Sequence, residues 1–321
     1  MKSPLISVLM PCYNVAPWLE AAVTSVRQQT WKRFEIILVD DGSTDETAAI
    51  ANRLAGTDLN LLRQSNLGQC SAFNLAFQHA QGDFIEYLDA DDLLHPKKFE
   101  TQLARLATQQ SGCIAAGAWA RFHGDPAAAV FTPEPVWRDL SSVEWLVSSW
   151  SGGGMMHGAA WLAPRKVAQA AGPWNENLTL INDFDFFTRL LLAGEGVVFC
   201  PDARSYYRSG LAGSLSGRTS RNSWESAFLS TELGTRSLLM REESPRTRRA
   251  AAINWQRLAF SAYPFVPDLV QKAEKQILDL GGCDLEIGGG PVFQILRRTL
   301  GWKIARRAQV TGRRIFHRKC S

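Results

Sequence analysis

Glu35-Ile36-Ile37-Leu38-Val39-Asp40-Asp41-Gly42-Ser43-Thr44 decides how this chain is read. The apolar run is rich in residues that favour a buried strand, and the polar segment after it cannot prolong one. Ser43 or Thr44 is expected to cap a helix running to about Ala55. The same alternation recurs on both sides. Leu5–Met10 reads as a strand followed by a helix from about Ala16. Leu59–Gln64 is a strand before a helix over Gln69–Gln81, and Asp83–Leu88 is a fourth strand. A βαβαβαβ order predicts a mostly parallel sheet with helices on both faces, whose ligands gather beyond the carboxyl ends of the strands.

The four strand ends carry Pro11-Cys12-Tyr13-Asn14, Asp40-Asp41-Gly42-Ser43, Asn66-Leu67-Gly68 and Asp89-Ala90-Asp91-Asp92. All should open on one edge of the sheet. On an extended backbone Asp89 and Asp91 point the same way. Two carboxylates so placed repel unless a cation lies between them, and their hard oxygens suit Mn²⁺ or Mg²⁺. Farther on, the pattern predicts a helix over Pro96–Gln110, a strand over Cys113–Phe122, a strand near Met156–Ala163 after Gly152-Gly153-Gly154, and a short helix from Pro164. A helix over Ile181–Leu192 and a strand over Val197–Cys200 follow, then helices alone from Asn222 to about Leu280.

With 321 residues and 45% hydrophobic residues the chain can bury a sizeable core, which excludes a disordered or collagen-like protein. The net charge of +4 conceals a split. Residues 288–321 hold nine Lys or Arg and no acid, so a tail of +9 follows a body of −5. In the tail Phe293, Leu296, Leu300, Ile304, Ala308, Thr311 and Ile315 recur at helical spacing, flanked by arginines. That stripe suits either an anionic membrane surface or docking on the body, whereas interleaved aromatic residues for nucleic acid are few, so no nucleic-acid partner is expected. The six cysteines show no zinc or redox spacing. No apolar run approaches the roughly 18 residues of a membrane span, and a cytoplasmic protein is expected, at most peripheral to the inner face of the membrane.

The four ordered segments resemble the inverting glycosyltransferase family 2, of GT-A fold, over about residues 5–210. The resemblance implies an α/β fold with a Rossmann-like, mostly parallel central sheet flanked by helices and a helical C-terminal extension. It places a nucleotide-sugar-binding and catalytic domain at 1–215, a helical region at 216–290 and the basic tail at 291–321. It implies nucleotide contacts from Pro11, Tyr13, Asp41, Asn66, Asp89 and Arg208, with Asp40 in support and a divalent metal, Mn²⁺ or Mg²⁺, on Asp91. Where the family often has Ala-Arg-Asn after the third loop, this chain has Ala72-Phe73-Asn74. The family's acidic pair at a helix start corresponds to Asn182-Asp183, with Asp183 the general base and Asp185 the fallback.

The implied reaction moves a sugar from a nucleotide-diphosphate donor, by resemblance UDP-sugar, to the hydroxyl of a glycan or glycolipid acceptor. Surface or extracellular polysaccharide or glycoconjugate assembly is the implied setting. The rival readings are a metal-dependent phosphohydrolase and a non-catalytic nucleotide-sugar-binding protein. A phosphohydrolase would commonly place a nucleophilic Asp after the first strand, where this chain has Pro11-Cys12-Tyr13. Six of the eleven tryptophans fall within residues 119–174. Most are expected in the core and one or two against a ligand. His157, after the glycine run, is a candidate acceptor contact or, equally, a structural histidine.

Overall fold

A computed structural model describes residues 3–211, 220–283 and 289–319, without the side chains of 313–319. The first half alternates β1 (Ile6–Cys12), α1 (Ala16–Arg27), β2 (Phe34–Asp40), α2 (Thr47–Leu54), β3 (Leu59–Arg63), α3 (Gln69–His79) and β4 (Phe84–Tyr87). After a two-residue β5 (Leu93–Leu94) come α4 (Lys98–Leu106), β6 (Cys113–Phe122), α5 (Ser142–Trp150), β7 (Trp161–Pro164), α6 (Arg165–Ala171), α7 (Asn182–Ala193) and β8 (Gly196–Arg208). The remaining elements are helical: α8 (Arg221–Arg241), α9 (Pro245–Ala262), α10 (Pro267–Asp279), α11 (Pro291–Leu300) and α12 (Trp302–Lys319).

The eight strands form one sheet in the order β3-β2-β1-β4-β7-β6-β8-β5. β3, β2, β1 and β4 run parallel, β6 and β8 also pair parallel, and β7 is antiparallel to β4 and β6. The mostly parallel sheet expected from the sequence is present. β1 is buried along its whole length because alternate side chains enter two cores. Leu9 packs with Ile37, Val39 and Tyr87 on one face, and Val8 and Met10 pack with Ile36 and Leu38 on the other. At the sheet centre the ammonium of Lys98 reaches Glu86 at 2.6 Å, both side chains fully buried, and donates also to Gln102.

Several local expectations are revised. α2 begins at Thr47 rather than after Ser43 or Thr44, and the Asp45 carboxylate accepts the Thr47 N–H. β8 runs to Arg208, well past Cys200, because it continues beside β6 after a register shift at Gly117–Trp119. The apolar stretch before Pro164 is strand only from Trp161. The tail is two helices, broken at Gly301, whose φ of +84° favours glycine. It docks in part: Phe293 and Ala305 are buried with Phe260 and Trp302, and Lys303 pairs with Glu274 at 2.9 Å. Among the described residues no helix is long and apolar enough to cross a membrane.

Candidate functional site

The first two loops are tied together by Asn14. Its backbone lies in the left-handed region at φ +52°, which Asn tolerates better than most residues, and this turns its amide toward the second loop. The amide oxygen accepts the N–H of Thr44 at 2.8 Å and of Asp45 at 3.3 Å. Asp40 accepts the Ser43 N–H at 3.0 Å and so closes the second loop on itself. Gly42 is required there: φ is +73°, and a Cβ would lie 2.9 Å from the Asn66 nitrogen.

Asp41 joins the second loop to the third. It accepts from Gln64 Nε2 at 2.7 Å, Leu67 N at 2.8 Å and Gly68 N at 2.9 Å. Three donors leave a carboxylate room for one more. Tyr13 is exposed above this edge, Pro11 is buried in β1, and Asn66 is exposed. β4 pairing ends at Tyr87 opposite Leu9, so the N–H that Pro11 lacks has no strand partner to miss. Burial, then Asp40 and Asp41, push the Cys12 thiol far up, which leaves it inert.

Asp89, Ala90 and Asp91 form a turn and not the extended strand end expected, because the Asp92 N–H bonds back to the Asp89 carbonyl at 3.1 Å. Asp89 is half-buried and accepts from Gln69 Nε2 at 2.7 Å. Loss of water, then Asp92, Asp91 and Asp183, raise its pKa well above the ordinary carboxylate value. Desolvation raises Asp91 as well. Arg208 clamps the turn, its Nε on the Asp91 carbonyl at 2.7 Å and its N–H on Asp92 at 2.7 Å.

Asp92 is buried beneath the turn, and its second oxygen faces His157 Nδ1 at 3.5 Å. The other nitrogen of His157 meets the Ser205 hydroxyl at 2.9 Å. Burial, aided by Lys98 and Arg121, pushes this imidazole down to about 3. Of the two readings of His157, the structure favours the structural one over the acceptor contact: it is only 6% exposed, and its nitrogens are turned to Ser205 and Asp92. It braces the acidic turn from behind instead.

Asp183 enters from across the cleft at the start of α7. Ile181, just before that helix, has φ +56°, a strained value for a β-branched residue. Ser230 on α8 holds its carbonyl at 2.5 Å. The strain turns Asn182 and Asp183 toward the strand ends. Asn182 Nδ2 donates to Gln69 Oε1 at 3.1 Å, while Gln69 in turn donates to Asp89. Asp183 opens to the cleft, yet the surrounding protein removes enough water to raise its pKa. Asp185 is buried and paired with Arg189 at 2.8 Å, so the fallback base is occupied in the scaffold.

The structure thus gathers Tyr13, Asp41, Asn66, Asp89, Asp91, Asp183 and Arg208 at one edge, and it adds Gln69, Asp92 and Arg121. Arg121 lies over the Tyr207 ring at 4.6 Å, and its charge offsets only a little of the burial and the Asp91 repulsion that raise the Asp92 pKa well above the ordinary carboxylate value. A lone cation in the otherwise apolar run Cys113–Phe122 was the signal for it. The residues fit a divalent cation, since Asp89 and Asp91 crowd oxygen donors together with too little positive charge beside them. Among the described residues no three His, Cys, Asp or Glu side chains make a closed cage. A cation here would be held by Asp91 and would draw its other ligands from a diphosphate and water.

Phe73, where the resembled family often has an arginine, belongs to the core: it stacks on Trp174 at 4.6 Å and meets Tyr87 edge-on at 5.5 Å. Of the six clustered tryptophans, five are buried and Trp137 stacks on Phe199, so they are scaffold.

The model of glycosyl transferase family 2 matches residues 7–168, half of the chain, and takes in the first four loops. The chain belongs to glycosyl transferase family 2. An uncharacterized glycosyltransferase of Haemophilus influenzae is 39% identical over 106 residues, 32% of this chain and 42% of that protein. Another from Rickettsia prowazekii is 30% identical over 191 residues, 58% of each chain. The chain thus spans about half the length of the curated relatives it matches. Among solved structures, S. aureus TarS 1–349 in complex with UDP-GlcNAc superposes with a TM-score of 0.62 at 16% identity, covering 96% of this chain and 92% of that one. The fold is GT-A-like, as in TarS, with α8–α12 as its C-terminal helices.

Proposed function

We propose that this family 2 chain transfers a sugar from UDP-sugar to a hydroxyl of a glycan or glycolipid acceptor, with inversion, in surface or extracellular glycan assembly. The observation that carries the reading is the meeting of Asp183 with the Asp89–Asp91 turn across Gln69 and Asn182. The UDP-GlcNAc bound by TarS, a chain of similar fold, supports a uridine nucleotide.

Tyr13 and the remaining acceptor position of Asp41 would meet the base, with Asn66 and buried Pro11 shaping its loop. Asp89 would hold the ribose and Arg208 the diphosphate. Asp91 would hold Mn²⁺ or Mg²⁺, which when bound neutralises charge on the leaving diphosphate. Asp183 accepts the proton of the attacking acceptor hydroxyl, and that oxygen displaces the diphosphate at the anomeric carbon in one step. The C–O bond to the donor breaks as the C–O bond to the acceptor forms, and no glycosyl-enzyme intermediate is needed. Domain limits of 1–215, 216–290 and 291–321 fit this division of roles.

The test is UDP release from UDP-sugar, with UDP binding measured in parallel. Binding without release in the native chain under all donors and acceptors tried would favour the non-catalytic reading. Phosphate release from simple phosphate esters would favour the phosphohydrolase.

A further inference from the structure

The tail is docked by one side and leaves another open. Phe293, Ala305 and Trp302 face the body, Arg306 covers the Phe260 ring at 4.5 Å, and Lys303 is paired to α10. Outside these docked contacts Val292 is 71% exposed, Ile295 62%, Leu300 54% and Ile304 48%. Val292 and Ile295 lie three apart and share a helix face with Thr299. Leu300 and Ile304 continue the exposed apolar surface on either side of the Gly301 break. Arg298 is exposed beside them, while Arg307, exposed too, lies over the Tyr263 ring at 5.4 Å.

Such side chains held in water forgo the gain of burial, and four of them on α11 and the first turn of α12 mark a contact surface. The local charge selects which. Residues 288–321 carry nine Lys or Arg and no acid, so a second copy of this chain would bring like charge to the same face. A stable contact between copies also needs roughly 1,200 Å² or more, which four aliphatic side chains do not supply.

We propose that this face rests on an anionic lipid bilayer. Val292, Ile295, Leu300 and Ile304 enter the boundary between headgroups and acyl chains, and the arginines remain among the phosphates. The docked side stays on the body throughout, so the contact requires no unfolding of the tail.

The experiment is co-sedimentation of the full chain with phosphatidylcholine vesicles, with and without about a third phosphatidylglycerol. Binding to the anionic vesicles alone, weakened by salt, is expected. Ile295→Ser with Leu300→Ser, which preserves the charge, should lower vesicle affinity at least about tenfold, and Arg298→Gln should lower it less. Unchanged far-UV circular dichroism and unchanged UDP binding would show that the variants are folded. Equal binding to neutral vesicles, no binding to anionic ones, or full binding by the double variant would each overturn the proposal. So would a concentration-dependent dimer that the double variant abolishes, since it would give the face to a second copy.

Discussion

Gln69 donates to Asp89 at 2.7 Å while its own carbonyl accepts from Asn182, so one amide joins the acidic turn to the helix that presents Asp183. The direction of the bridge depends on residue 182 being an amide. A carboxylate there would draw the Gln69 NH₂ toward itself and leave Asp89 without a donor. Gln69→Leu is therefore expected to weaken metal-dependent UDP binding about tenfold, the cost of one hydrogen bond to a charged group. Asn182→Asp should weaken it in the same direction. Titration calorimetry with UDP and Mn²⁺ measures both, and wild-type affinity in Gln69→Leu would show the bridge to be incidental.

Asp183→Asn should leave UDP binding within about twofold and lower kcat about 10²- to 10⁴-fold, the usual contribution of a positioned base. Its carboxyl must be ionised to accept a proton, and desolvation raises its pKa. The kcat profile should therefore fall on the acid side, with a midpoint above the ordinary carboxylate value. Rates that stay flat down to about pH 4 would remove Asp183 from the role.

Removing the cation should act through binding as well as rate. With a chelator present, or in Asp91→Ala, which removes the proposed metal ligand, the thermal stabilisation given by UDP should be lost, because the diphosphate then faces the remaining carboxylates with no cation between them. Equal stabilisation with and without Mn²⁺ would contradict the assignment.

Phe73→Arg restores the residue type the family often carries but buries a guanidinium between Trp174 and Tyr87. Phe73→Ala should cost about 3–5 kcal/mol of stability, and the arginine at least as much. Urea denaturation reads this directly. An arginine variant as stable as the parent would mean the aromatic cluster tolerates an open position.

Gly42→Ala should lower stability and UDP affinity together, because a Cβ at φ +73° meets the third loop at Asn66. A nucleotide affinity equal to that of the parent would separate the second loop from base binding.

Much of the architecture was legible because the first four strands are separated by complete helices and three of them, β1, β2 and β4, are largely buried on both faces, so period and order agreed. The strand ends named most of the cleft for the same reason. What escaped has identifiable causes. β8 was read only as Val197–Cys200 because Pro201-Asp202 interrupts the apolar run, and its continuation depends on pairing with β6. α5 went unread although Ser141 and Glu144 form a reciprocal cap at its start. Gln69 carries no signal until α7 is folded against α3. His157 looked open beside glycines, and only the tertiary structure buries it against Ser205 and Asp92. Ile181 gives no hint in sequence that its backbone is left-handed, because α8 imposes it.

The pinning of α12 to α9 and α10 through Lys303, Arg306 and Ala305 bears on direction more than on attachment. Because α12 does not swing freely, any plane on which the open side of α11 comes to rest also sets the tilt of the sheet, and with it the heading of the cleft. With the proposed membrane contact in place, the docked tail would fix the heading of the strand-end loops relative to the bilayer, and with it the side from which a substrate would approach.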